Sequence, residues 1–312
     1  MGNKLLAGDV LTHLRAMPTS SCAAALSDPP YGLQFLGLAW DKVLPPADVW
    51  VELARVLRPG ANALIFGGTR TFHRLAVALE DAGFDVVDVL MWLHSQGLPK
   101  SKSLLKPAWE PIIQVRNKGA IIPLNIDGCR IGTGLGGERK GEASANKRYT
   151  ERGTTNFAMK PGPRGGDARG RWPANVIADT EAAAAIDRAS GIRKSGAMRT
   201  GTIRARADSY SGNWGGAATK TDIPKSEGGA SRFFYCPKVK GDDRVHPTQK
   251  PVALTEWLAK LLYVPDGRLL IPYAGVGSEM VGAISAGWQD TIGIELNSEY
   301  VALADKRIAE GE

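Results

Sequence analysis

The chain has 312 residues, 43% hydrophobic and 23% charged, with a net charge of +7, a composition typical of globular proteins. It contains no apolar run of the roughly 18 residues that a membrane helix needs, and its amino terminus has no apolar stretch typical of a secretory signal. Cys22, Cys129 and Cys236 form no CxxC pair, which argues against disulfides and zinc sites and leads us to expect a cytoplasmic protein.

The first third of the chain alternates between predicted strands and helices. Apolar runs predict strands at 23–27, 61–66 and 84–92, and helical spacing of apolar residues predicts helices at 47–57 and 72–82. The Arg58-Pro59-Gly60 sequence marks the end of the first helix. This alternation favours a mostly parallel, doubly wound α/β sheet of the Rossmann-like kind.

The middle of the chain is loop-rich and basic. Between residues 132 and 171, 12 of 40 residues are glycine or proline, which predicts long loops. Residues 139–206 carry 15 Lys and Arg against 6 Asp and Glu, whereas the remainder carries 24 against 26. A near-neutral body with one basic insert suits a protein that binds a polyanion, because counterion release at phosphates supplies affinity. A basic loop without a partner is the alternative.

Regular structure is expected to return at residue 233. The pattern predicts helices at 252–262, 279–286 and 299–309 and strands at 268–271 and 291–295. Neither end of the chain has enough strands to close a core alone, so the two ends are expected to share one sheet. We therefore predict one α/β domain formed by residues 1–125 and 233–312, with residues 126–232 as an insert.

The motif with the most specific chemistry is Asp28-Pro29-Pro30-Tyr31-Gly32, directly after a predicted strand, where α/β sheets bind ligands. An exocyclic base amine is a poor nucleophile, because its lone pair is delocalised into the ring. Two acceptors on its N–H groups favour the pyramidal form, and the Asp28 carboxylate and Pro29 carbonyl can supply them, since consecutive prolines leave the carbonyl unclaimed. Tyr31 can stack on an extruded base. A proline-rich turn with an aromatic plug is the alternative.

A second motif runs from Tyr273 to Ser278, between a predicted strand and helix. Its glycines, Gly275 and Gly277, allow close approach of a nucleotide-like ligand. Glu295, twenty residues after Gly275, can bind ribose hydroxyls. A dinucleotide-binding turn fits nearly as well, but Met280 occupies the place of the third glycine of GxGxxG.

A third motif, HPTQKP at residues 246–251, precedes the helix predicted at 252. Thr248, Gln249 and Lys250 lie ahead of a helix N-terminus, where the dipole favours a carboxylate. A plain helix cap with proline in the first turn is the alternative. The histidines show no metal-binding spacing, so we predict no metal and expect them at the surface or at helix caps: His13, His73, His94 and His246.

Taken together, these motifs resemble those of the β-type (permuted) DNA amino-methyltransferases of bacteria and phages, in which the DPPY loop precedes a target-recognition region and then the cofactor loop. The similar segments also include residues 8–10, 55–60, 106–111, 170–175 and 231–235. The resemblance implies an enzyme that transfers a methyl group from S-adenosylmethionine to the N6 amine of adenine in double-stranded DNA by base flipping, as in restriction–modification systems. It also implies that residues 126–232 recognise the DNA target.

The resemblance assigns roles residue by residue. The expected catalytic residues are Asp28, Pro29, Pro30 and Tyr31. The expected cofactor contacts are Asp9, Val10, Asp28, Thr248, Gln249, Lys250, Tyr273, Gly275, Gly277, Ser278 and Glu295. The expected DNA contacts are Arg139, Lys140, Lys147, Arg148, Arg152, Arg164, Arg169, Arg204 and Arg206. Where the family has Asp-Pro-Phe, this chain has Ile271-Pro272-Tyr273. A carboxylate is therefore missing near the methionine end of the cofactor, and Asp28 is the nearest replacement.

Several alternatives remain open from the sequence. DPPY favours adenine over cytosine, for which SPPY is typical, but N4-methylation of cytosine needs the same two acceptors. Methylation of RNA or protein glutamine, a catalytically inactive DNA-binding relative, and a nicotinamide-dependent oxidoreductase are further alternatives. The recognition sequence and a homodimer are also left open. Methyl transfer requires that the Tyr31 loop and the Gly275 turn open onto the same face of the molecule.

Overall fold

The computed structural model describes residues 2–33, 41–95, 105–132, 170–195, 226–237 and 249–311. The chain divides into two compact units. Unit 1 comprises Met1–Cys129, Ala174–Ala184 and Tyr235–Glu312, and unit 2 comprises Arg130–Pro173 and Ala185–Phe234. Among the residues described, no helix combines the length and apolar character needed to cross a membrane.

The described residues contain ten strands and seven α-helices. The strands are β1 (Lys4–Ala7), β2 (Cys22–Ser27), β3 (Leu57–Phe66), β4 (Asp85–Leu93), β5 (Trp109–Arg116), β6 (Val176–Ala178), β7 (Arg193–Ser195), β8 (Ser226–Gly228), β9 (Leu269–Pro272) and β10 (Thr291–Glu295). The helices are α1 (Val10–Ala16), α2 (Ala47–Val56), α3 (Phe72–Asp81), α4 (Thr180–Ser190), α5 (Val252–Leu261), α6 (Ser278–Ser285) and α7 (Ser298–Glu310).

Unit 1 is built on an eight-stranded sheet in the order β1-β10-β9-β2-β3-β5-β4-β6. The first five strands in this order are parallel to one another, and β5 runs antiparallel to both β3 and β4. Strands from both ends of the chain are interleaved, so the shared sheet predicted from the sequence is confirmed. The architecture is the expected mixed α/β fold.

Two apolar cores sandwich this sheet, because successive side chains of a strand point to opposite faces. In β3, Leu64 and Phe66 join one core, whereas Ala63 and Ile65 join the other. Helices α5 and α6 cover the first face, and α1, α2 and α3 cover the second. Full burial of each large apolar side chain stabilises the fold by roughly 1.5–3 kcal/mol.

The structure differs from the predicted elements around β3 and β5. Helix α2 ends at Val56, close to the end predicted at Arg58-Pro59-Gly60. Strand β3, however, begins at Leu57 and not at residue 61 as predicted, so it contains the Arg58-Pro59-Gly60 sequence. Gly60 adopts a φ of +78°, and a Cβ there would lie 1.6 Å from the Ala120 carbonyl oxygen, so glycine lets the strand continue through a tight approach. Strand β5 carries no clear sequence signal, because Pro111 interrupts its apolar run.

One piece of the predicted insert belongs to unit 1. Strand β6 pairs in parallel with β4, with Met91 opposite Val176, and Ile177 is fully buried. The short apolar segment at 176–178 therefore extends the sheet edge, although it lies between two loop-rich stretches of sequence. The predicted boundaries at 125 and 232 remain a prediction.

Unit 2 contains the antiparallel pair of β7 and β8 and a bridge in which Ile131 and Arg171 exchange two backbone hydrogen bonds of 3.0 Å. The Asp187 carboxylate accepts hydrogen bonds from the Ser231 backbone N–H at 2.8 Å and from the Ser231 hydroxyl at 2.7 Å. These two bonds lower the pKa of Asp187. Hydrogen bonds of side chains thus help to order a unit that has little regular structure among its described residues.

Candidate active site

The loop after β2 is held by side chains from elsewhere in the chain. The buried Asp41 carboxylate accepts hydrogen bonds from the backbone N–H groups of Tyr31 at 2.7 Å, Gly32 at 3.0 Å and Leu33 at 3.2 Å. The Thr71 hydroxyl donates to the Tyr31 carbonyl at 2.8 Å. The DPPY segment is therefore a fixed platform at the carboxyl end of β2, where α/β folds bind ligands.

Four polar side chains meet at this platform and form what we call the carboxylate cluster: Asp28, Tyr31, Glu110 and Lys250. The Tyr31 hydroxyl lies 2.8 Å from Asp28 Oδ1 and 2.9 Å from Glu110 Oε2. The Lys250 ammonium lies 2.8 Å from Asp28 Oδ2 and 3.3 Å from Glu110 Oε2. It is also 3.1 Å from the Tyr31 hydroxyl. Two hydrogen-bond donors are thus shared by two carboxylates.

Sheet topology explains how Glu110 reaches the cluster. Strand β5 is antiparallel to β3, with Ile112 opposite Phe66, so the amino end of β5 lies at the same edge as the carboxyl ends of the parallel strands. Glu110 is the second residue of β5. Lys250 comes from the segment immediately before α5. The sequence motifs pointed to Asp28, Tyr31 and Lys250 but not to Glu110, which was noted only within a segment of family resemblance.

Burial strengthens the electrostatic interactions between the side chains of the cluster. The Lys250 side chain is 5% exposed and that of Asp28 19%. Burial raises the pKa of Asp28, the nearby Lys250 ammonium opposes this, and the Glu110 charge adds to it. Burial alone would lower the pKa of Lys250, but Asp28 and Glu110 outweigh it and raise that pKa. Lys250 is therefore charged, and its ammonium group lies within reach of both carboxylates.

Two further titratable groups adjoin the cluster. His94 Nε2 lies 3.8 Å from Glu110 Oε1, and the His94 side chain is 12% exposed, so the expectation of a surface or capping histidine is wrong at this position. Glu279, in the first turn of α6, is 4% exposed. Burial, followed by the charge of Asp28, raises the pKa of Glu279 to about 7. Neither residue was singled out as functional from the sequence.

The second motif forms a tight backbone feature between β9 and α6, which we call the glycine turn (residues 273–278). Tyr273, Gly275 and Gly277 all have positive φ angles, of +61°, +51° and +85°. A Cβ at Gly277 would lie 2.9 Å from the Ala304 Cβ, whereas a Cβ at Gly275 would have no atom within 4 Å. Gly277 is thus needed for packing against α7, and Gly275 faces open space.

Polar groups from β10 and α7 hold the glycine turn. The Glu295 carboxylate accepts hydrogen bonds from the Gly275 N–H at 2.9 Å and from the Asn297 N–H at 2.8 Å. The buried Arg307 guanidinium donates to the Val276 carbonyl at 2.6 Å and to the Ser278 hydroxyl at 3.1 Å. Arg307 had no signal in the sequence, because it occurs in an ordinary amphipathic helix.

Asp9 and Val10 follow β1, on the far side of β10. Asp9 caps α1 by accepting from the Thr12 N–H at 2.9 Å, and Val10 is 3% exposed in the apolar core. Burial, and then the charge of Asp9, raises the pKa of Tyr273, so the Asp9 carboxylate acts on the start of the glycine turn. The structure brings Asp9 and Glu295 to the same edge, because Ala7 pairs with Glu295.

The carboxylate cluster and the glycine turn lie at the same edge of the sheet. Strands β2 and β9 are parallel neighbours, with Ala25 opposite Leu270. The Ser27 hydroxyl donates to the Pro272 carbonyl at 3.0 Å. This bond joins the residues immediately before each loop. The common face that methyl transfer requires is therefore present.

Other residues considered in the sequence analysis lie either in the apolar core or outside the described residues. Ile271, which stands where the family has an acidic residue, is fully buried in the apolar core, and Asp28, its expected replacement, binds Lys250. Thr248, like His246 of the same motif, lies outside the described residues, and so do all the expected DNA contacts: Arg139, Lys140, Lys147, Arg148, Arg152, Arg164, Arg169, Arg204 and Arg206. In the part of the chain that is described, no three His, Cys, Asp or Glu side chains are arranged to hold a metal ion.

Unit 2 presents aromatic rings beside arginines. Trp172 is 60% exposed and Phe233 is 44% exposed. The Arg130 guanidinium carbon lies 5.5 Å from the centre of the Trp172 ring, and that of Arg232 lies 4.6 Å from the centre of the Phe233 ring. Neither ring was among the expected DNA contacts.

Comparison with known proteins gives one family match and several structural matches. The model of the N6_N4_Mtase family, described as DNA methylase, matches residues 23–306. YubD of Escherichia coli K12, whose name assigns it provisionally to the methylases, is 39% identical over 67 residues, which is 22% of this chain and only 29% of YubD.

Two solved structures share the fold. The provisionally assigned DNA modification methylase TTHA0409 of Thermus thermophilus has a TM-score of 0.53 and 16% identity, covering 99% of this chain and 95% of TTHA0409. The cytosine-N4-specific PvuII DNA methyltransferase has a TM-score of 0.53 and 15% identity, covering 100% of this chain and 94% of that protein.

Proposed function

The chain belongs to the DNA methylase family, and from this premise we propose that it transfers a methyl group from S-adenosylmethionine to the N6 amine of adenine in double-stranded DNA. The observation that carries the proposal is the position of the carboxylate cluster beside the glycine turn at one sheet edge, joined by the 3.0 Å bond from Ser27 to the Pro272 carbonyl. An acceptor for the amine and a turn suited to a nucleoside thus open onto the same face.

The DPPY loop supplies the groups that activate the amine. The Asp28 carboxylate and the Pro29 carbonyl accept its two hydrogens, which favours the pyramidal nitrogen. The Tyr31 ring, whose backbone is fixed by Asp41 and Thr71, offers a face for stacking of a base that has left the helix, at a cost of a few kcal/mol for extrusion. Fixing these acceptors in advance lowers the barrier through positioning and electrostatics.

The glycine turn fits S-adenosylmethionine. The open space at Gly275 admits a ligand close to the backbone, and Glu295 at the end of β10 is placed to accept hydrogen bonds from ribose hydroxyls. Asp9, Val10, Asp28, Thr248, Gln249, Lys250, Tyr273, Gly277 and Ser278 complete the proposed set. When bound, S-adenosylmethionine supplies a methyl group on a positively charged sulfur. A second TTHA0409 structure, with a TM-score of 0.52, is a complex of that protein with S-adenosylmethionine.

We assign DNA binding to the insert at residues 126–232. Its excess of basic residues supplies affinity for phosphates by counterion release. The exposed Trp172 ring in the insert and the Phe233 ring directly after it, each beside an arginine, add groups of the kind that stack on bases or pack against the sugar–phosphate backbone.

The N4 amine of cytosine is the alternative target. Both amines need the same pair of acceptors, and the cytosine-N4-specific PvuII enzyme has the same TM-score as TTHA0409. We favour adenine because the loop reads DPPY and not SPPY.

The methylated base can be identified directly. The enzyme is incubated with labelled S-adenosylmethionine and DNA amplified in vitro, and the DNA is digested to nucleosides for mass spectrometry. N6-methyladenine supports the assignment, and N4-methylcytosine would reverse the choice of base.

The role of Asp28 is tested by Asp28→Ala. We expect the rate of methyl transfer to fall by at least roughly 10²- to 10³-fold, the usual cost of removing one preorganised electrostatic group, while DNA binding is retained. The fold should survive, because Lys250 keeps Glu110 as a partner. Asp48→Ala is the matched control, since Asp48 forms an exposed ion pair with Arg15 and has no described bond to the carboxylate cluster. Turnover of the Asp28→Ala variant at the control rate would contradict the assignment.

The same assay distinguishes the other candidates. Separate pools of DNA, RNA and protein identify the acceptor from the labelled product. A catalytically inactive DNA-binding relative would give no labelled product and no heat of S-adenosylmethionine binding by calorimetry, although it would still retain DNA in a filter-binding assay.

A further inference from the structure

Glu110 has contacts that the proposed chemistry does not use. Its Oε2 atom lies 2.9 Å from the Tyr31 hydroxyl and 3.3 Å from the Lys250 ammonium. These are the same two donors that bind the Asp28 oxygens, at 2.8 Å each. The cluster therefore contains two donors, each within reach of two acceptors.

The stoichiometry of hydrogens makes this arrangement a competition. A tyrosine hydroxyl has one hydrogen, so Tyr31 donates to Asp28 or to Glu110 but not to both at once. Both Asp28 oxygens are engaged, Oδ1 by Tyr31 and Oδ2 by Lys250. Each oxygen keeps a second lone pair, but an oxygen already bound to a donor is a weaker acceptor and is partly covered by that donor. Asp28 therefore accepts an amine hydrogen best when one of these donors turns toward another acceptor.

Burial prevents the Lys250 ammonium from turning to water. The Lys250 side chain is only 5% exposed, and an unpaired buried ammonium is very costly. Among the contacts that the structure describes, Glu110 is the second carboxylate within reach of both donors. Glu110 is held in place by β5, where it pairs with Trp92 of β4, so it does not need to move when the donors change partner.

We propose that Glu110 is a positioning residue that takes over the Tyr31 and Lys250 donors and so frees an Asp28 oxygen for the amine of the target base. The inference rests on the proposed function, because it concerns the step in which Asp28 meets that amine. It predicts that Glu110 affects the rate of methyl transfer and not the binding of DNA or cofactor.

The first test compares Glu110→Ala with Glu110→Gln. Single-turnover methyl transfer is measured with DNA and S-adenosylmethionine both saturating. We expect Glu110→Ala to be slower by roughly 10- to 100-fold, the usual effect of losing a charge-assisted hydrogen bond, with unchanged dissociation constants. Glu110→Gln should lose less, because its amide oxygen still accepts a hydrogen bond. Glu80→Gln, at an exposed position on α3, is the matched control and should match the wild type.

A second variant separates positioning from a structural role. In the Glu110→Ala background, Asp28 is the one carboxylate of the cluster left for Tyr31 and Lys250. Adding Tyr31→Phe then removes one of the two donors that bind Asp28. We expect the double variant to transfer methyl groups faster than Glu110→Ala alone. If Glu110 merely supported the fold, the second change would add to the damage, and a slower double variant would overturn the proposal.

The pH dependence of the single-turnover rate gives an independent test of the role of Glu110. The charged and titratable groups that face Asp28 are Lys250, Glu110, Tyr31 and Glu279. Because the Glu110 charge raises the pKa of Asp28, Glu110→Gln should move the acidic limb of the single-turnover rate to lower pH. An acidic limb that stays in place would count against the proposal.

The outcomes distinguish the two levels of inference. If the wild type methylates no DNA, the proposed function fails and this inference fails with it. If the wild type methylates DNA and Glu110→Ala matches its rate, only the role of Glu110 is overturned.

Discussion

The carboxylate cluster and the glycine turn occupy neighbouring strand ends of one sheet but are built in opposite ways. The cluster consists of polar side chains in which two carboxylates, Asp28 and Glu110, share the Tyr31 and Lys250 donors. The glycine turn consists of backbone in positive-φ conformations, held by hydrogen bonds from Arg307 and to Glu295. The first region therefore has alternative hydrogen-bond partners, whereas the second has a backbone conformation that its bonds hold fixed.

Arg307→Ala gives the largest expected effect, because it removes the support of the glycine turn. The buried Val276 carbonyl and Ser278 hydroxyl would both lose their donor, and we expect the free energy of unfolding to fall by about 3 kcal/mol. Urea denaturation measures this. Lys306→Ala, on the exposed face of the same helix, is the control and should change little. Equal stabilities of the two variants would show that the turn does not depend on Arg307.

Glu279→Gln tests the point where the two regions meet, since Glu279 lies in the first turn of α6 and interacts with Asp28. Its pKa is raised from 4.5 in the unfolded chain to about 7 in the folded protein, so the folded state retains a proton that the unfolded state releases. Stability is therefore lost as the pH rises from 4.5 to about 7, and the penalty is complete above that range.

We expect Glu279→Gln to remove this penalty and to stabilise the protein at about pH 8 by an amount on the order of 2 kcal/mol. The difference in stability between variant and wild type should vanish near pH 4, where the glutamate and the glutamine side chains at position 279 are both neutral. Denaturant unfolding at the two pH values measures it. Glu299→Gln, at an exposed first-turn position of α7, should show no such pH dependence. A variant less stable than the wild type at about pH 8 would mean that Glu279 is favourably paired and charged in the folded protein.

Gly275→Ala should have the smallest effect on stability and sharpens the comparison by separating folding from binding. The φ of +51° costs an alanine about 1 kcal/mol, and its Cβ would meet no atom. Gly311→Ala has the same character, with a φ of +73° and open space, and should cost a similar amount. We expect only Gly275→Ala to weaken S-adenosylmethionine binding in calorimetry, because only its methyl group would enter the proposed cofactor space. Equal affinities would place the cofactor elsewhere.

Much of the fold was accessible from the sequence because its signals are local. Apolar runs and helical spacing placed β2, α2, α3, β4, α5, α6, β10 and α7 close to their observed bounds, and the need to bury both ends implied one shared sheet. The start of β3 and the whole of β5 were not predicted. A glycine that allows a strand to pass close to Ala120, and a proline in an apolar run, look like chain breaks unless the neighbouring strands are known.

The candidate site, like the fold, was predicted in part from the sequence. The sequence by itself determined which residue types are available: an acidic residue and two prolines after a strand, glycines before a helix, and a lysine before another helix. Only the tertiary structure decided that Glu110, Asp41 and Arg307 belong to this edge of the sheet. The physical reason is that hydrogen bonds and ion pairs act over a few ångströms in space. The antiparallel course of β5 is what brings Glu110, 82 positions beyond Asp28 in the chain, to within reach of the same hydroxyl and ammonium.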